Sequence, residues 1–301
     1  PPGGRMSRVP PASLFTPPFR VDEPERQTLP FVYNTGHSGA VYPASFVAAS
    51  RLDAVALRRS EDAFVERLYA PVVGLGAPLM QAAFPRAYLD VNREPYELDP
   101  RMFDGRLPPF VNVRSMRVAG GLGTVPRVVA DGQEIYRGRL PVEEALGRIE
   151  ELYKPYHRTL KELVARTART FGHAVLIDCH SMPSTSLARD EGAAIDVVLG
   201  DRFGTACGPD LIDCAEAAFR THGLKVVRNK PYAGGFITEH YGEPALGRHA
   251  LQIEVNRALY MDERKLLPRP GFEALSRTLT AVAQTLGHAA LDLAPRRIAA
   301  E

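Results

Sequence analysis

The feature that most constrains the fold is an apolar run that ends in polar residues, AVLIDCHSMP at positions 174–183. Gly172 precedes it at the end of a long helical pattern, a place where glycine commonly ends a helix. The stretch therefore predicts a helix followed by a buried strand whose C-terminal end carries Asp178 and His180. Ligands bind at this end of the strands in open α/β sheets.

A second strand with the same character lies early in the chain. Phe31–Asn34 is strand-forming, and the polar stretch TGHSG follows it at positions 35–39. Neutral imidazole is a common zinc ligand. We therefore expect the two strand ends to bring His37 and His180 to one metal ion.

The alternation of helical and strand patterns predicts an α/β fold with a mostly parallel sheet and helices on both faces. The strongest helical pattern covers residues 142–171 and is interrupted by Pro155. Weaker patterns predict a helix that begins after Ser60 and short strands over residues 78–84 and 87–91. We expect residues 1–28, which are rich in proline, to be a flexible tail and residues 29–301 to form a single domain.

Composition excludes several classes of function. The 301 residues carry 37 Lys and Arg against 35 Asp and Glu, a balance that disfavours nucleic acid as a partner. No segment approaches the roughly 20 consecutive apolar residues of a membrane helix, and no secretory signal pattern is visible. The 3 cysteines show no regular spacing. The cytoplasm is the expected location.

A catalytic zinc site needs a third protein ligand, and several acids are candidates. Glu61 and Asp62 are two of them, although acids in the first turn of a helix are also favoured by the helix dipole. Asp178 and Glu239 are the others. Asp178 lies two residues from His180 on one strand, so it alternatively orients that histidine from behind.

Glu254 is the best general-base candidate, because it lies on the polar side of the alternating strand 251–256, where a carboxylate is costly unless it is paired or used. The alternative is an ion pair with Arg257. Arginine grips carboxylates through two parallel hydrogen bonds, so Arg257, Arg228 and the pair Asn92–Arg93 are candidate substrate ligands. Each of these is alternatively an ordinary surface residue.

Together these motifs resemble the N-formylglutamate amidohydrolase family. The matching stretches span about residues 30–265 and are 34–39 with Pro43, 61–69, 90–93, 178–183, 229–235 and 251–261. The resemblance implies a three-layer α/β/α fold with a mixed, mostly parallel sheet, like that of zinc carboxypeptidases and aspartoacylase. It also implies hydrolysis of N-formyl-L-glutamate to formate and L-glutamate with one zinc ion per chain, and a role in histidine breakdown.

The resemblance also implies roles for individual residues. His37 and His180 would bind zinc, Glu254 would activate water, and Asn92 with Arg93 would hold the substrate carboxylate. Zinc carboxypeptidases place a ligand Glu three residues after the first His, but Ala40 stands there, so Asp62 is preferred over Glu61 as the third ligand. The remaining expected substrate-binding residues are Arg228, Asn229, Tyr232 and Arg257, with Arg93, Arg228 or Tyr232 as oxyanion donor.

Two other functions stay open at this point. The same zinc site would also suit another N-acyl amino acid or a small peptide. A non-catalytic metal-binding or amino-acid-binding protein is the third possibility, but such a protein has no need of a general base like Glu254. The oligomeric state is not indicated by the sequence.

Overall fold

The computed structural model describes residues 10–129, 132–186 and 195–291. The strands are β1 Phe19–Asp22, β2 Phe31–Thr35, β3 Leu79–Ala82, β4 Phe103–Asp104, β5 Leu140–Pro141, β6 Ala174–Met182, β7 Val197–Gly200, β8 Val226–Arg228, β9 Arg248–Asn256, β10 Met261–Asp262 and β11 Leu267–Pro268. The α-helices are α1 Ala44–Ala49, α2 Ala54–Leu57, α3 Val65–Tyr69, α4 Met116–Ala119, α5 Val142–Arg148, α6 Lys154–Phe171, α7 Pro209–Thr221, α8 Phe236–Tyr241 and α9 Gly271–Leu291.

Seven of these strands form one sheet in the order β1-β3-β2-β6-β9-β7-β8. The central pairs β3–β2, β2–β6 and β6–β9 are parallel, and so is β7–β8. Strand β7 runs antiparallel to β9, which makes the sheet mixed. Since β2, β6 and β9 are parallel, their carboxyl ends lie at the same edge of the sheet.

The two faces of this sheet carry different side chains. Residues at alternate positions share a face, and the register pairs His180 with Glu254 on one face and Cys179 with Ile253 on the other. The face of Ile253 belongs to a large apolar core that also includes buried residues of α3, α7 and α9. The face of Glu254 is covered in part by α8, whose preceding residue Gly235 donates its N–H to Gln252. The predicted α/β fold with a mostly parallel sheet and helices on both faces is therefore confirmed.

The chain forms two compact units. The first comprises the described residues of Pro1–Arg20, Gly39–Glu61 and Ala82–Arg158, and the second those of Val21–Ser38, Asp62–Gln81 and Thr159–Glu301. A buried arginine, Arg148, organises part of the first unit. Its guanidinium lies 3.7 Å from the ring centroid of Tyr88, donates to the hydroxyl of Tyr136 and forms an ion pair with Glu144.

Several local predictions differ from the structure. Helix α3 begins at Val65 rather than after Ser60, because Phe64 takes a left-handed conformation with φ of 68° and separates Asp62 from the helix. The region 87–91 forms turns instead of a strand. Within the stretch predicted as a flexible tail, Phe19–Asp22 pairs at the sheet edge as β1, and residues 1–9 lie outside the described residues. The expected single domain over 29–301 stays a prediction.

The long helical pattern over 142–171 is confirmed, and its proline has a structural consequence. Helix α5 passes into a π-helical turn at Ile149–Tyr153, directly before α6 and Pro155. Proline has no N–H and its ring crowds the preceding turn, and a π turn relieves both effects. Within the described ranges, none of the helices combines the length and the hydropathy that a membrane-spanning helix requires.

Candidate metal centre

Three side chains predicted as zinc ligands meet in the second unit. His37, Asp62 and His180 are buried, and each offers a ligand atom within 4.8 Å of the other two. One carboxylate oxygen of Asp62, Oδ2, lies 2.9 Å from Nδ1 of His180 and 3.6 Å from Nδ1 of His37. Two imidazole nitrogens and a carboxylate oxygen that converge in this way form the donor set of many catalytic zinc sites.

Backbone contacts explain why Asp62 reaches the two histidines. Its N–H donates to the carbonyl of His37 at 3.0 Å, which links the loop after β2 to the turn before α3. The next carbonyl, that of Ala63, accepts from the hydroxyl of Tyr260 at 2.9 Å. Phe64 then turns the chain through a left-handed conformation, which is uncommon for a bulky residue and often marks a functional site.

Asp178 orients His180, as one of the alternatives above suggested. The two residues are two positions apart on β6 and share a face, and Asp178 Oδ2 lies 2.7 Å from Nε2 of His180. The other oxygen of Asp178 accepts from Asn34 at 2.7 Å. If Nε2 donates its proton to Asp178, loss of the Nδ1 proton that faces Asp62 would leave the lone pair of Nδ1 available to a metal ion.

The opposite side of Asp62 is held by Arg257. The Arg257 Nη2 donates to Asp62 Oδ1 at 2.9 Å, and its Nε donates to the hydroxyl of Ser181 at 3.1 Å. The Arg257 side chain is only 8% exposed. A guanidinium in this position fixes the carboxylate and leaves Oδ2 directed at the histidines, so the structure gives Arg257 a partner other than the Glu254 that the sequence suggested.

The charges of this cluster shift two pKa values in opposite directions. Burial alone would raise the pKa of Asp62, but the hydrogen bond with His180, the nearby His37 and the charges of His180 and Arg257 hold it well below its usual range. Burial would lower the pKa of His180, but Asp178 and Asp62 raise it well above its usual value. Metal binding would therefore release a proton from His180.

Glu254 lies beside the cluster on the neighbouring strand. Its register partner on β6 is His180, and neighbouring strands of a sheet lie about 4.7–4.9 Å apart. Gln252 donates to Glu254 Oε1 at 3.0 Å and accepts the N–H of Gly235 at 2.9 Å. This amide links the loop before α8 to the predicted general base and fixes the orientation of its carboxylate.

Two other acids considered as ligands pair with other side chains. Glu61 belongs to the first unit, where it accepts two hydrogen bonds from Arg58 and one from Tyr42. Glu239 is largely exposed and pairs with Arg202 at 2.8 Å. Asp62 is thus the acid that the structure brings to the two histidines.

The predicted substrate-binding residues of the 228–232 loop fall into different places. Tyr232 packs against Met182 and Val198, on the face of the sheet that carries His180 and Glu254. Arg228 lies on the opposite face and pairs with Asp213 and Glu216 of α7. Its strand, β8, pairs with β7 in a register that aligns Arg228 with Leu199, and Leu199 is part of the apolar face.

Asn229 has a local structural role. It has a left-handed conformation with φ of 60°, which asparagine tolerates better than most residues. Its amide donates to Asp201 at 2.7 Å and accepts the N–H of Asp201 at 3.1 Å. These bonds close the loop that follows β7 and occupy the side chain that the sequence assigned to substrate.

Asn92 and Arg93 belong to the first unit, in a group of arginines around one buried carboxylate. Asp90 accepts from Arg86 at 2.9 Å and lies 3.6 Å from Nη2 of Arg93. The carbonyl of Asn92 accepts from Arg93 at 2.7 Å and from Arg117 at 3.3 Å. Burial, opposed by Asp90 and reinforced by Arg86 and Arg117, lowers the pKa of Arg93 to about 10. This concentration of positive charge suits a carboxylate ligand.

The glycine of the HSG motif is explained by a close approach. A Cβ at Gly39 would lie 2.1 Å from the carbonyl oxygen of Phe84, so any other residue at this position would displace the backbone.

Two residues that support the site were not predicted from the sequence. Gln252 and Asn34 donate hydrogen bonds to Glu254 and Asp178. The signal was present, since both are polar residues at inward positions of otherwise apolar buried strands.

Fold and site together define an α/β protein with a mixed sheet and a buried two-histidine, one-carboxylate centre suited to a divalent metal ion. Comparison with known proteins identifies the family to which the chain belongs within this class. The family model of N-formylglutamate amidohydrolase matches residues 29–261, so the chain belongs to the N-formylglutamate amidohydrolase family. The resemblance read from the sequence motifs is thereby confirmed.

Individual relatives agree with this assignment. The N-formylglutamate deformylase of Pseudomonas aeruginosa is 32% identical over 244 residues, which are 80% of this chain and 85% of that protein. The N-formylglutamate deformylase of Pseudomonas putida is 32% identical over 209 residues, 67% of this chain and 71% of that protein.

Two solved structures are similar to this chain in fold. The crystal structure of N-formylglutamate amidohydrolase from Ralstonia eutropha JMP134 has a TM-score of 0.85 at 36% identity, with coverage of 90% of this chain and 98% of that one. A gene product of Agrobacterium tumefaciens, 19% identical, has a TM-score of 0.64 with coverage of 90% and 94%, and shares the fold.

Proposed function

We propose that the chain hydrolyses N-formyl-L-glutamate to L-glutamate and formate, with one zinc ion held by His37, Asp62 and His180. The observation that carries the proposal is the buried cluster of these three side chains with Glu254 at the adjacent strand position. The curated relatives named N-formylglutamate deformylase support the choice of substrate.

The donor set fits zinc, which accepts four ligands and keeps one position open when the protein supplies three. Zinc held there would act as a Lewis acid toward water and toward the formyl carbonyl. Asp178 would keep His180 in the tautomer whose Nδ1 is a ligand, and Arg257 would keep Asp62 Oδ2 directed at the site.

Glu254 is the general base in this proposal. Its carboxylate takes a proton from the attacking water and returns one to the amide nitrogen as the C–N bond breaks, so that glutamate leaves with a neutral amine. Gln252 holds one carboxylate oxygen through a hydrogen bond of 3.0 Å, which limits the directions in which Glu254 can transfer the proton. Within the 228–232 loop, Tyr232 is the remaining candidate for stabilising the oxyanion of the tetrahedral intermediate.

Arg93 is proposed as the group that binds a carboxylate of the substrate. Its guanidinium is 12% exposed and is joined by Arg86 and Arg117, so the local charge exceeds what Asp90 compensates. A glutamate derivative carries two carboxylates, and a bidentate contact with arginine would hold one of them in a fixed orientation. Location in the cytoplasm and a role in histidine breakdown stay predictions from the sequence.

The experiment is formate release from N-formyl-L-glutamate by zinc-loaded protein, measured beside N-acetyl-L-glutamate and a sample treated with chelator. We expect release from the formyl compound, loss of release on chelation and recovery when zinc is restored. Activity that persists after the metal has been removed would contradict the zinc centre. Zinc binding at one equivalent with turnover of the acetyl compound alone would instead contradict the choice of acyl group.

A further inference from the structure

A second concentration of arginine lies in the first unit. A cavity of about 220 Å³ is lined by Arg51, Arg101, Arg127, Arg137 and Arg139, with Glu134 and Tyr136 between them. We call these five arginines and the cavity they line the arginine pocket. It shares no residue with the group around Asp90 and Arg93, and the proposed hydrolysis does not use it.

Three of the arginines are held in place by hydrogen bonds. The carboxylate of Asp99, with a side chain only 2% exposed, accepts from Nε and Nη2 of Arg101 at 2.8 and 2.7 Å and from Nε of Arg127 at 2.9 Å. Arg51 donates through Nε to the carbonyl of Tyr136 at 2.8 Å. Such anchoring removes much of the side-chain entropy that a ligand would otherwise have to overcome.

The positive charge of the pocket exceeds its negative charge. Within the described part of the chain, the carboxylates that pair with these arginines are Asp99 and Glu134. Arg137 and Arg139 are exposed, and neither side chain makes a hydrogen bond or ion pair with another described residue. Five guanidinium groups with two carboxylate partners leave an excess of positive charge directed at one small volume.

We propose that the arginine pocket binds a small anion with two or more negative charges, of the diphosphate or tricarboxylate class. Guanidinium groups match phosphate and carboxylate oxygens in pairs, and several of them suit a ligand with several such groups. The volume of about 220 Å³ lies below the roughly 300–1,000 Å³ of pockets for drug-sized ligands. The cavity therefore fits a compact anion rather than a nucleotide or a peptide.

The test is isothermal titration of the zinc-loaded chain with inorganic diphosphate at fixed ionic strength, with tricarballylate as a second probe. The variant Arg137→Gln/Arg139→Gln removes the two guanidiniums without side-chain partners and leaves the Asp99 anchor intact. Its matched control is Arg169→Gln/Arg277→Gln, which removes the same charge from exposed positions of α6 and α9.

We expect saturable binding of at least one probe and a Kd raised about tenfold in the pocket variant, because the two guanidinium groups without side-chain partners would no longer contact the anion. The control should bind as the unmodified chain does. Binding that is equal in the pocket variant and the control would overturn the proposal, since the anion would then occupy the zinc centre or another basic group. If neither diphosphate nor tricarballylate bound saturably, the proposal would also be overturned. The thermal midpoints of both variants show that they are folded.

Discussion

The two faces of the central sheet use the same strands for different purposes. On β9, Leu251, Ile253 and Val255 enter the apolar core against α3, α7 and α9, while Gln252 and Glu254 lie on the other face with the candidate metal centre. A residue that supports the fold is therefore adjacent in sequence to one that supports the chemistry. The pleat separates them, because successive side chains point to opposite faces.

Strand β6 repeats this division. Cys179 belongs to the apolar core, and Asp178 and His180 belong to the candidate metal centre. A shift of register by one residue would exchange the two sets, so the core that fixes the register also fixes the position of the candidate ligands. Neighbouring substitutions on one strand should therefore separate cleanly into effects on stability and effects on chemistry.

The largest expected effect is that of Glu254→Gln on turnover. The amide has nearly the same shape but cannot accept the proton of the attacking water, and general-base catalysis typically contributes about 10²–10⁴-fold. We therefore expect kcat for N-formyl-L-glutamate to fall by that factor while zinc content and thermal midpoint stay unchanged. Steady-state formate release and metal analysis of the purified variant measure these quantities.

The matched control for this substitution is Glu216→Gln on α7. Glu216 pairs with Arg228 behind the apolar face, so its loss should reduce stability slightly and leave kcat within about twofold. If both variants kept full turnover, Glu254 would not be the general base. The polar face of the sheet would then not supply the group that activates water.

The second effect concerns Ile253, next to Glu254 and 2% exposed in the apolar core. Replacement by alanine should lower the free energy of unfolding by about 2–5 kcal/mol, because it removes buried methyl groups and leaves a cavity. Zinc stoichiometry per folded chain should stay at one. Urea denaturation measures the first quantity and metal analysis of the folded fraction the second. Leu246→Ala, at a position 56% exposed, is the control and should change stability little.

The sequence carried more information about the ligands than about the residues around them. His37 follows one apolar strand and His180 lies near the C-terminal end of another, and parallel strands bring such positions to one edge, so their meeting was predictable. Asp62 was preferred only through the family resemblance. Its approach to the histidines depends on the left-handed turn at Phe64, and local propensity does not indicate that turn.

The positions that the sequence did not indicate have an equally physical cause. Substrate binding by Arg228 stays a prediction, but the face that Arg228 occupies depends on the register of β8 against β7, and β7 is the antiparallel member. The stretch 87–91 has strand-forming residues but forms turns. Its residues are buried in the first unit and do not pair with a strand of the sheet. Such outcomes are set by tertiary pairing rather than by the pattern of a single segment.

The smallest effect tests whether the polar face acts as a connected set. Asp178→Asn keeps a hydrogen-bond acceptor for Nε2 of His180 but removes the negative charge. The NH₂ group of the new amide would then face the NH₂ group of Asn34, so the hydrogen bond between these two side chains would be lost. Substitution of a carboxylate behind a zinc-bound histidine typically weakens metal binding about 10–100-fold. Competition with a chromophoric chelator would measure that change in zinc affinity. Asp213→Asn, at an exposed position of α7 behind the other face, is the chemically identical control and should leave the affinity unchanged. Equal zinc affinities in the two variants would mean that His180 is oriented by its packing and its contact with Asp62, and that Asp178 serves the sheet rather than the metal.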